Sequence, residues 1–157
     1  MGGLTEATGH GRPLILLLCP LARRKAGRWF MSPTQRTLKY LRDHGHRVQV
    51  VERWQPQSRR RIDLFGCIDI VGLDVNIFTG KATVTGWQAC AGSSIAARQA
   101  KVEAECLPAI REWMHAGCGF CVIGWRKLKG KGRQQWFPLI REAILTSDGI
   151  EWEEVEL

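Results

Sequence analysis

The sequence lacks the motifs that mark several large classes of protein. It contains no P-loop, no Gly-rich dinucleotide fingerprint and no convincing Ser/His/Asp or Cys/His nucleophile set, so none of those enzyme classes is indicated. No internal repeat is visible. The apolar run at 13–20 is too short to span a bilayer. We therefore expect no membrane partner and, by default, a cytoplasmic location.

The six cysteines also lack a complete metal-binding pattern. Cys118 and Cys121 have CxxC spacing, but no second CxxC or His pair completes a zinc set, and the motif opens a strand rather than a helix. Cys67, Cys90 and Cys106 lie in apolar runs. Buried thiols in a reducing compartment are the simplest interpretation.

What the chain does have is an apolar-rich and basic composition. Its 157 residues, 45% apolar with seven Trp, suit one folded domain with a real core. The net charge is +8, and residues 31–141 carry 18 Lys and Arg against eight Asp and Glu. Residues 142–157 carry six acids and no base. This balance favours a polyanionic partner such as nucleic acid.

The basic residues concentrate in two clusters. They are Arg53 with Arg59, Arg60 and Arg61, and Arg126 and Lys127 with Lys129, Lys131 and Arg133. Each cluster could be a solvated turn between strands or a rim that holds phosphates.

The first 31 residues differ from the rest. A basic run at 23–25 follows the apolar run, whereas a secretory signal has its positive region first. Met31 could be the true start. We predict a disordered or poorly packed arm over 1–31, followed by one domain over 32–157 that ends in an acidic C-terminal tail.

From Ser32 onward the sequence predicts regular elements. Ser32 as N-cap, Pro33 at the first helical position and Gly45 as C-cap predict a helix to about His44. Strands are expected at 48–51, 63–73, 82–90 and 120–125, turns at 55–61 and 74–80, a helix at about 94–116 that Pro108 could kink, and a strand or short helix at 135–145. This helix-strand-strand-strand-helix-strand order predicts an α/β fold with a single mixed central sheet flanked by helices.

Two polar residues in neighbouring predicted strands form a candidate metal site. Asp69 and Gln88 offer oxygen ligands of the kind that Mg²⁺ or Mn²⁺ binds. An unpaired aspartate in an apolar strand is costly, which favours a functional role for Asp69. Asp63, on the same face of a regular strand, or Glu52 could add a second charge. Alternatively, Asp63 could pair with a nearby arginine, and Gln88 could hydrogen-bond within the sheet.

The segments Leu64–Val71 and Val84–Cys90 resemble the PD-(D/E)XK nuclease superfamily, especially its small Holliday-junction-resolvase, VRR-NUC-like and phage members. The resemblance covers about residues 32–128 and implies a restriction-endonuclease-like core that uses Mg (or Mn) to cleave DNA. Asp69 matches the strand-two aspartate, and Gln88 takes the place of the acid in the (E/D)xK motif. Cys90 occupies the position of the lysine that positions or activates the attacking water. The first-helix glutamate of the family would fall near Gln35.

The resemblance also implies which residues contact DNA. The helix after strand three presents polar residues to DNA in the family, which here points to Ser93, Ser94, Arg98 and Lys101. The two serines could instead be helix caps. Lys81, Arg98 or Lys101 could replace the missing lysine. The phosphate backbone would be held by Arg59, Arg60, Arg61, Arg126, Lys127 and Lys129.

The sequence therefore predicts a Mg-dependent DNA endonuclease. Cleavage of DNA of a specific structure is one form that this activity could take. Asp69, Gln88 and Asp63 are the candidate catalytic residues and metal ligands, and Glu52 is a further ligand. A homodimer would match the two-fold symmetry of a junction substrate. The alternative is a catalytically inactive nuclease fold that serves as a DNA-binding or assembly module. A third interpretation is a structural protein whose basic surface binds an acidic protein.

Overall fold

The computed structural model describes residues 30–75, 82–129, 132 and 134–157. Residues 1–29 of the predicted arm therefore lie outside the described residues, as do Lys81, Lys131 and Arg133. The described residues form three helices and eight strands. The helices are α1 (Pro33–Asp43), α2 (Ile95–Lys101) and α3 (Leu107–His115). The strands are β1 (Arg47–Val50), β2 (Arg53–Gln55), β3 (Arg60–Ile62), β4 (Ile70–Val75), β5 (Ala82–Ala91), β6 (Gly119–Lys129), β7 (Gln134–Leu145) and β8 (Ile150–Val155).

One mixed six-stranded sheet organises the chain, in the order β1-β4-β5-β6-β7-β8. β5 and β6 are parallel, and their neighbours pair antiparallel. The helical crossover through α2 and α3 joins the parallel pair, because parallel strands cannot be joined by a tight turn. β2 and β3 form a separate hairpin. The predicted α/β fold with a mixed central sheet is confirmed.

Local sequence signals account for α1. The Ser32 side chain accepts the Gln35 N–H and the Gln35 side chain accepts the Ser32 N–H, a reciprocal capping box. Gly45 follows the helix with a φ of 87°, which is easy only for glycine. Trp125 Nε1 donates to Thr37 Oγ1 at 2.9 Å, which fixes the helix on β6. The predicted helix and its caps are confirmed.

The crossover helix changes its geometry just before Pro108. Proline has no N–H to donate to the carbonyl four residues earlier, and its ring clashes with that carbonyl. The backbone widens into a single π-helical turn at Val102–Cys106 between α2 and α3. This widened turn accommodates the proline without ending the helical path, so the predicted interruption at Pro108 is confirmed.

Both faces of the sheet are covered. Side chains on the α1 face include Leu41, Ile70, Trp87, Ile123 and Trp125. Side chains on the face that α2 and α3 cover include Ile68, Cys90, Ile95, Ile110 and Phe120. Successive residues of β5 and β6 alternate between these two cores, as the pleat of a strand requires.

The predicted second strand, 63–73, is wrong in its first half. β4 begins at Ile70, and residues 63–69 form a tight turn closed by a bridge between Leu64 and Ile68. Phe65 and Gly66 have φ values of 53° and 79°, which regular strands do not contain. Even spacing along a strand therefore does not explain any contact between Asp63 and Asp69.

Two further segments differ from the prediction. The polar turn predicted at 55–61 is shorter, because Arg53–Gln55 and Arg60–Ile62 pair as strands around it. The ambiguous 135–145 segment is a strand within β7, and the acidic stretch 142–157 supplies the end of β7 and β8. These segments are strands because they pair with neighbouring strands. An Arg141–Glu154 ion pair of 2.7 Å also links β7 to β8.

A close packing point links β6 to the start of the crossover. A Cβ on Gly124 would lie 2.3 Å from Ile95 Cδ1 and 3.1 Å from the Cα of Gly92. We expect Gly124→Ala to lower the free energy of unfolding by about 1–3 kcal/mol, measured by urea denaturation. Gly149→Ala, where no atom lies within 4 Å, is the control. Equal stabilities of the two variants would contradict the tight packing.

Candidate functional site

A tight turn brings two acidic residues to one end of the sheet. Within it, the Gly66 N–H donates to the Asp63 carbonyl at 3.1 Å. Lys101 on α2 donates from Nζ to the Gly66 carbonyl at 2.7 Å, which anchors the turn to the helix. Because the turn reverses the chain between Asp63 and Asp69, the two carboxyl groups meet although residues 63–69 do not form the predicted strand.

Asp69 is buried, 5% exposed, and held by two donors. Its Oδ2 accepts from Gln88 Nε2 at 2.8 Å and from the Ala89 N–H at 2.9 Å. Its own N–H donates to the Trp87 carbonyl at 3.0 Å. The predicted association of Asp69 with Gln88 is present as a direct hydrogen bond between β5 and the residue before β4.

The side chains of Glu52, Asp63 and Asp69 converge. One carboxylate oxygen from each lies within 4.8 Å of the other two. Glu52 reaches this point because β1 ends at Val50, which pairs with Ile70 at the start of β4. Two oxygens bound to one Mg²⁺ lie at most about 4.2 Å apart, since each bond is about 2.1 Å long. This separation is close to the 4.8 Å within which the three carboxylate oxygens lie.

Burial and like charge disfavour the ionised form of Asp69. Burial contributes most, the Ala89 N–H opposes it, and the charges of Asp63 and Glu52 add to it, raising the pKa of Asp69 to about 7. Three acids at one point carry repulsion that a bound divalent cation would offset. The donor set, all carboxylate oxygen, is the one that hard divalent cations prefer.

Gln88 carries an unsatisfied atom at this site. The residue is 3% exposed, its Nε2 is used by Asp69, and its Oε1 is buried with no hydrogen-bond partner among the described residues. A buried acceptor without a donor is costly, by about 1–3 kcal/mol. A cation or its bound water would satisfy this oxygen, so the residues present fit a divalent metal.

The position where the sequence resemblance implies a lysine holds a buried thiol. Cys90 is 4% exposed, and burial raises its pKa to about 11, although the charge of Arg98 opposes this shift. The thiol is therefore neutral at ordinary pH and supplies no cation. Arg98, half-buried on α2, acts electrostatically on this part of the site. Lys101 is instead engaged with the Gly66 carbonyl.

The predicted phosphate-binding arginines lie in the β2–β3 hairpin. Arg59 and Arg60 are exposed there. Arg61 pairs with Glu52 rather than with Asp63. Because the Arg61 side chain is 65% exposed and that of Glu52 is 11% exposed, the arginine contacts Glu52 from the solvent side.

The remaining predicted DNA-contacting residues lie nearer β6 and the crossover. Arg126, Lys127 and Lys129 are exposed on β6. Ser93 is exposed, and Ser94 precedes α2 without a side-chain capping hydrogen bond. The serine side-chain cap predicted from the sequence is therefore absent at Ser94.

Both basic hairpins extend from the same end of the sheet as the acidic cluster. Asp69 contacts Ala89 near the end of β5, and Ala91 pairs with Trp125 in the parallel strand β6. Residues 126–129 therefore continue beyond that end, paired with β7. The β2–β3 hairpin begins at Arg53, just after β1 reaches the same end. The cluster thus lies between two basic projections.

Sequence reasoning missed two contributors to this site. The Ala89 N–H, which holds Asp69, carries no sequence signal because every residue except proline has such a group. Phe65, in the turn beside Asp63, could have been noticed from the Phe-Gly pair inside a predicted strand, since glycine there indicates a bend.

None of the helices among the described residues is long and apolar enough to cross a membrane. No family model, curated protein sequence or solved structure matches the chain.

Proposed function

We propose that this protein is a metal-dependent DNA endonuclease whose centre is the cluster of Glu52, Asp63 and Asp69. The observation that carries the proposal is the convergence of these three carboxylates within 4.8 Å beside the unsatisfied Gln88 Oε1. A repulsive cluster of this kind, kept between two basic hairpins, suits a cation that in turn meets phosphate.

The residues of the chain have separable tasks in this mechanism. Glu52, Asp63 and Asp69 would hold the ion, Mg²⁺ or Mn²⁺. When bound, the ion supplies Lewis-acid neutralisation of the phosphate and lowers the pKa of a bound water. The Gln88 carboxamide and the Ala89 N–H orient the Asp69 carboxylate.

The basic hairpins supply the affinity for the DNA backbone. Arg59, Arg60 and the exposed basic residues of β6 attract phosphates from either side of the cluster. Arg61 pairs with Glu52. If a cation were held by Glu52, Arg61 would be free to contact phosphate.

The same proposal includes a specific fold, the restriction-endonuclease-like core. A helix, three antiparallel strands and a helical crossover to a parallel strand support a restriction-endonuclease-like core, with the β2–β3 hairpin inserted. The sequence resemblance assigns Asp69 the role of the PD-(D/E)XK aspartate. Gln88 and Cys90 depart from that pattern, and Asp63 and Glu52 provide the missing negative charge.

The direct test is a nicking assay on branched and linear DNA with the whole chain. We expect cleavage with Mg²⁺ or Mn²⁺ and none in the presence of a chelator, since the carboxylates alone do not activate water. Gel-resolved products from both substrates measure the rate. A background rate that is identical with metal and with chelator would refute the enzymatic proposal.

A second candidate function is DNA binding without catalysis. The neutral, buried Cys90 thiol in the lysine position favours it, because no cation from β5 reaches the reaction centre. In that case DNA binding is salt-sensitive, independent of metal and unchanged in Asp69→Ala. Filter binding at 50 and 200 mM salt separates the two functions.

A further inference from the structure

A strained aromatic residue stands beside the acidic cluster. Phe65 has a φ of 53°, in the left-handed region that bulky side chains rarely adopt. Its side chain is 50% exposed, so burial of the ring does not explain why the strain is retained. Strain of this kind is typically retained where the residue binds something.

The half-exposed ring contacts a second aromatic side chain. Trp113 of α3 contacts it edge-on, with ring centroids 6.0 Å apart at 61°. Lys101 anchors the adjoining Gly66 carbonyl. A half-exposed aromatic ring is a surface on which another flat ring can stack.

An open cavity joins this ring to the acidic cluster. Its volume is about 450 Å³, which lies in the range of small-ligand sites. Its lining includes the apolar side chains of Val51, Ile62 and Leu64 together with Arg53, Asp63 and Phe65. Asp63 belongs both to this lining and to the acidic cluster. A ligand in the cavity therefore lies next to the proposed metal ion.

We propose that this cavity binds an unpaired nucleobase, which stacks on Phe65. The inference rests on the proposed nuclease function and deepens it, since the substrate becomes DNA with an unpaired nucleotide at the scissile phosphate. A base inside a duplex is covered on both faces by its neighbours, whereas an unpaired base offers a free face for stacking. Arg53 adds a positive charge near the attached phosphate. Trp54, 59% exposed and paired with Arg61, offers a second ring on the adjoining hairpin.

The test uses the full chain, Ca²⁺ as an oxygen-seeking cation, and a 15-nucleotide single strand that contains 2-aminopurine. Phe65→Asn removes the ring and keeps a residue that tolerates the left-handed conformation. We expect it to weaken single-strand binding about 10-fold and to reduce the stacking-dependent change in fluorescence, while affinity for a matched duplex changes less than about two-fold. Phe30→Ala, which removes another exposed phenylalanine (78%), is expected to change neither.

The thermal midpoint separates this role from a purely structural one. Because Phe65→Asn relieves backbone strain, we expect its midpoint to equal or exceed that of the wild type. Three outcomes would overturn the inference. The first is a lowered midpoint of the variant together with weakened binding of both DNA forms. The others are unchanged single-strand binding by the variant and no binding of single strands by the wild type.

The same measurements keep this inference distinct from the proposed function. Phe65→Asn retains all three carboxylates, so its stabilisation by Mg²⁺ is expected to equal that of the wild type. Phe65-dependent single-strand binding without metal-dependent cleavage would refute the nuclease and keep the base cavity. Metal-dependent cleavage with unchanged single-strand binding in Phe65→Asn would refute the cavity and keep the nuclease.

Discussion

Replacing Asp69 with asparagine is expected to stabilise the metal-free protein and to abolish its metal-dependent cleavage. The asparagine Oδ1 can still accept the Ala89 N–H, while the charge that is buried against Glu52 and Asp63 disappears. Loss of a group that merely supports a metal ligand lowers metal affinity or activity about 10–100-fold. Loss of the ligand charge itself is therefore expected to lower the cleavage rate at least ~100-fold. Asp74→Asn, which removes an exposed acid of β4, is the matched control.

The gain in stability depends on pH in a direction that the Asp69 pKa determines. In the unfolded chain the carboxyl group ionises near its ordinary pKa of 3.8, and in the folded chain near 7. Below about pH 4 the Asp69 carboxyl group is protonated in both states, so its full contribution to the free energy of unfolding is present. As the pH rises towards 7, the unfolded state releases its proton first and the wild type loses stability. Above pH 7 both states are ionised and the loss is complete.

Chelator-treated wild type and Asp69→Asn should therefore diverge between pH 4 and pH 7.5. We expect the difference in unfolding free energy to grow by about 2–4 kcal/mol over this window, measured by urea denaturation. Glu52, Asp63, Cys90 and Arg98 are the ionisable groups acting on Asp69 or its neighbours, and all four are kept in the variant. A difference that does not change with pH would show that Asp69 is ionised without penalty.

Replacing Gln88 with glutamate is expected to tighten metal binding and to weaken the metal-free fold. The variant loses the Nε2 donor to Asp69 and places a fourth carboxylate in a site where 3% of the side chain is exposed. Without metal, like charges repel and the thermal midpoint falls. With Mg²⁺, the added anionic ligand is expected to lower the dissociation constant about 10-fold, because affinity rises with ligand charge.

Calorimetric titration and thermal melting against Mg²⁺ concentration measure both effects. The midpoint of Gln88→Glu should start below that of the wild type and rise more steeply as metal is added. Gln49→Glu, an exposed position on β1, controls for the added charge alone. A lowered midpoint without tighter binding would place Gln88 outside the metal centre.

Local sequence signals predicted the elements whose causes lie within a few residues. Ser32, Pro33 and Gly45 define α1, since capping and left-handed termination are properties of neighbouring residues. Pro108 marks the interruption of the crossover for the same reason. The acidic β8 carries no comparable signal, because its strand character comes from pairing with β7.

The sequence by itself determined the mixed α/β architecture and identified Asp69, Gln88, Asp63 and Glu52 as candidates, because oxygen-bearing side chains within or beside apolar runs stand out without coordinates. Only the tertiary structure decided how they meet. Asp63 joins Asp69 through a turn with two left-handed residues rather than along a strand, and Arg61 pairs with Glu52. These outcomes depend on how segments distant in sequence, such as Lys101 and Gly66, are brought together by the packed sheet. Periodicity along the chain contains no information about such contacts.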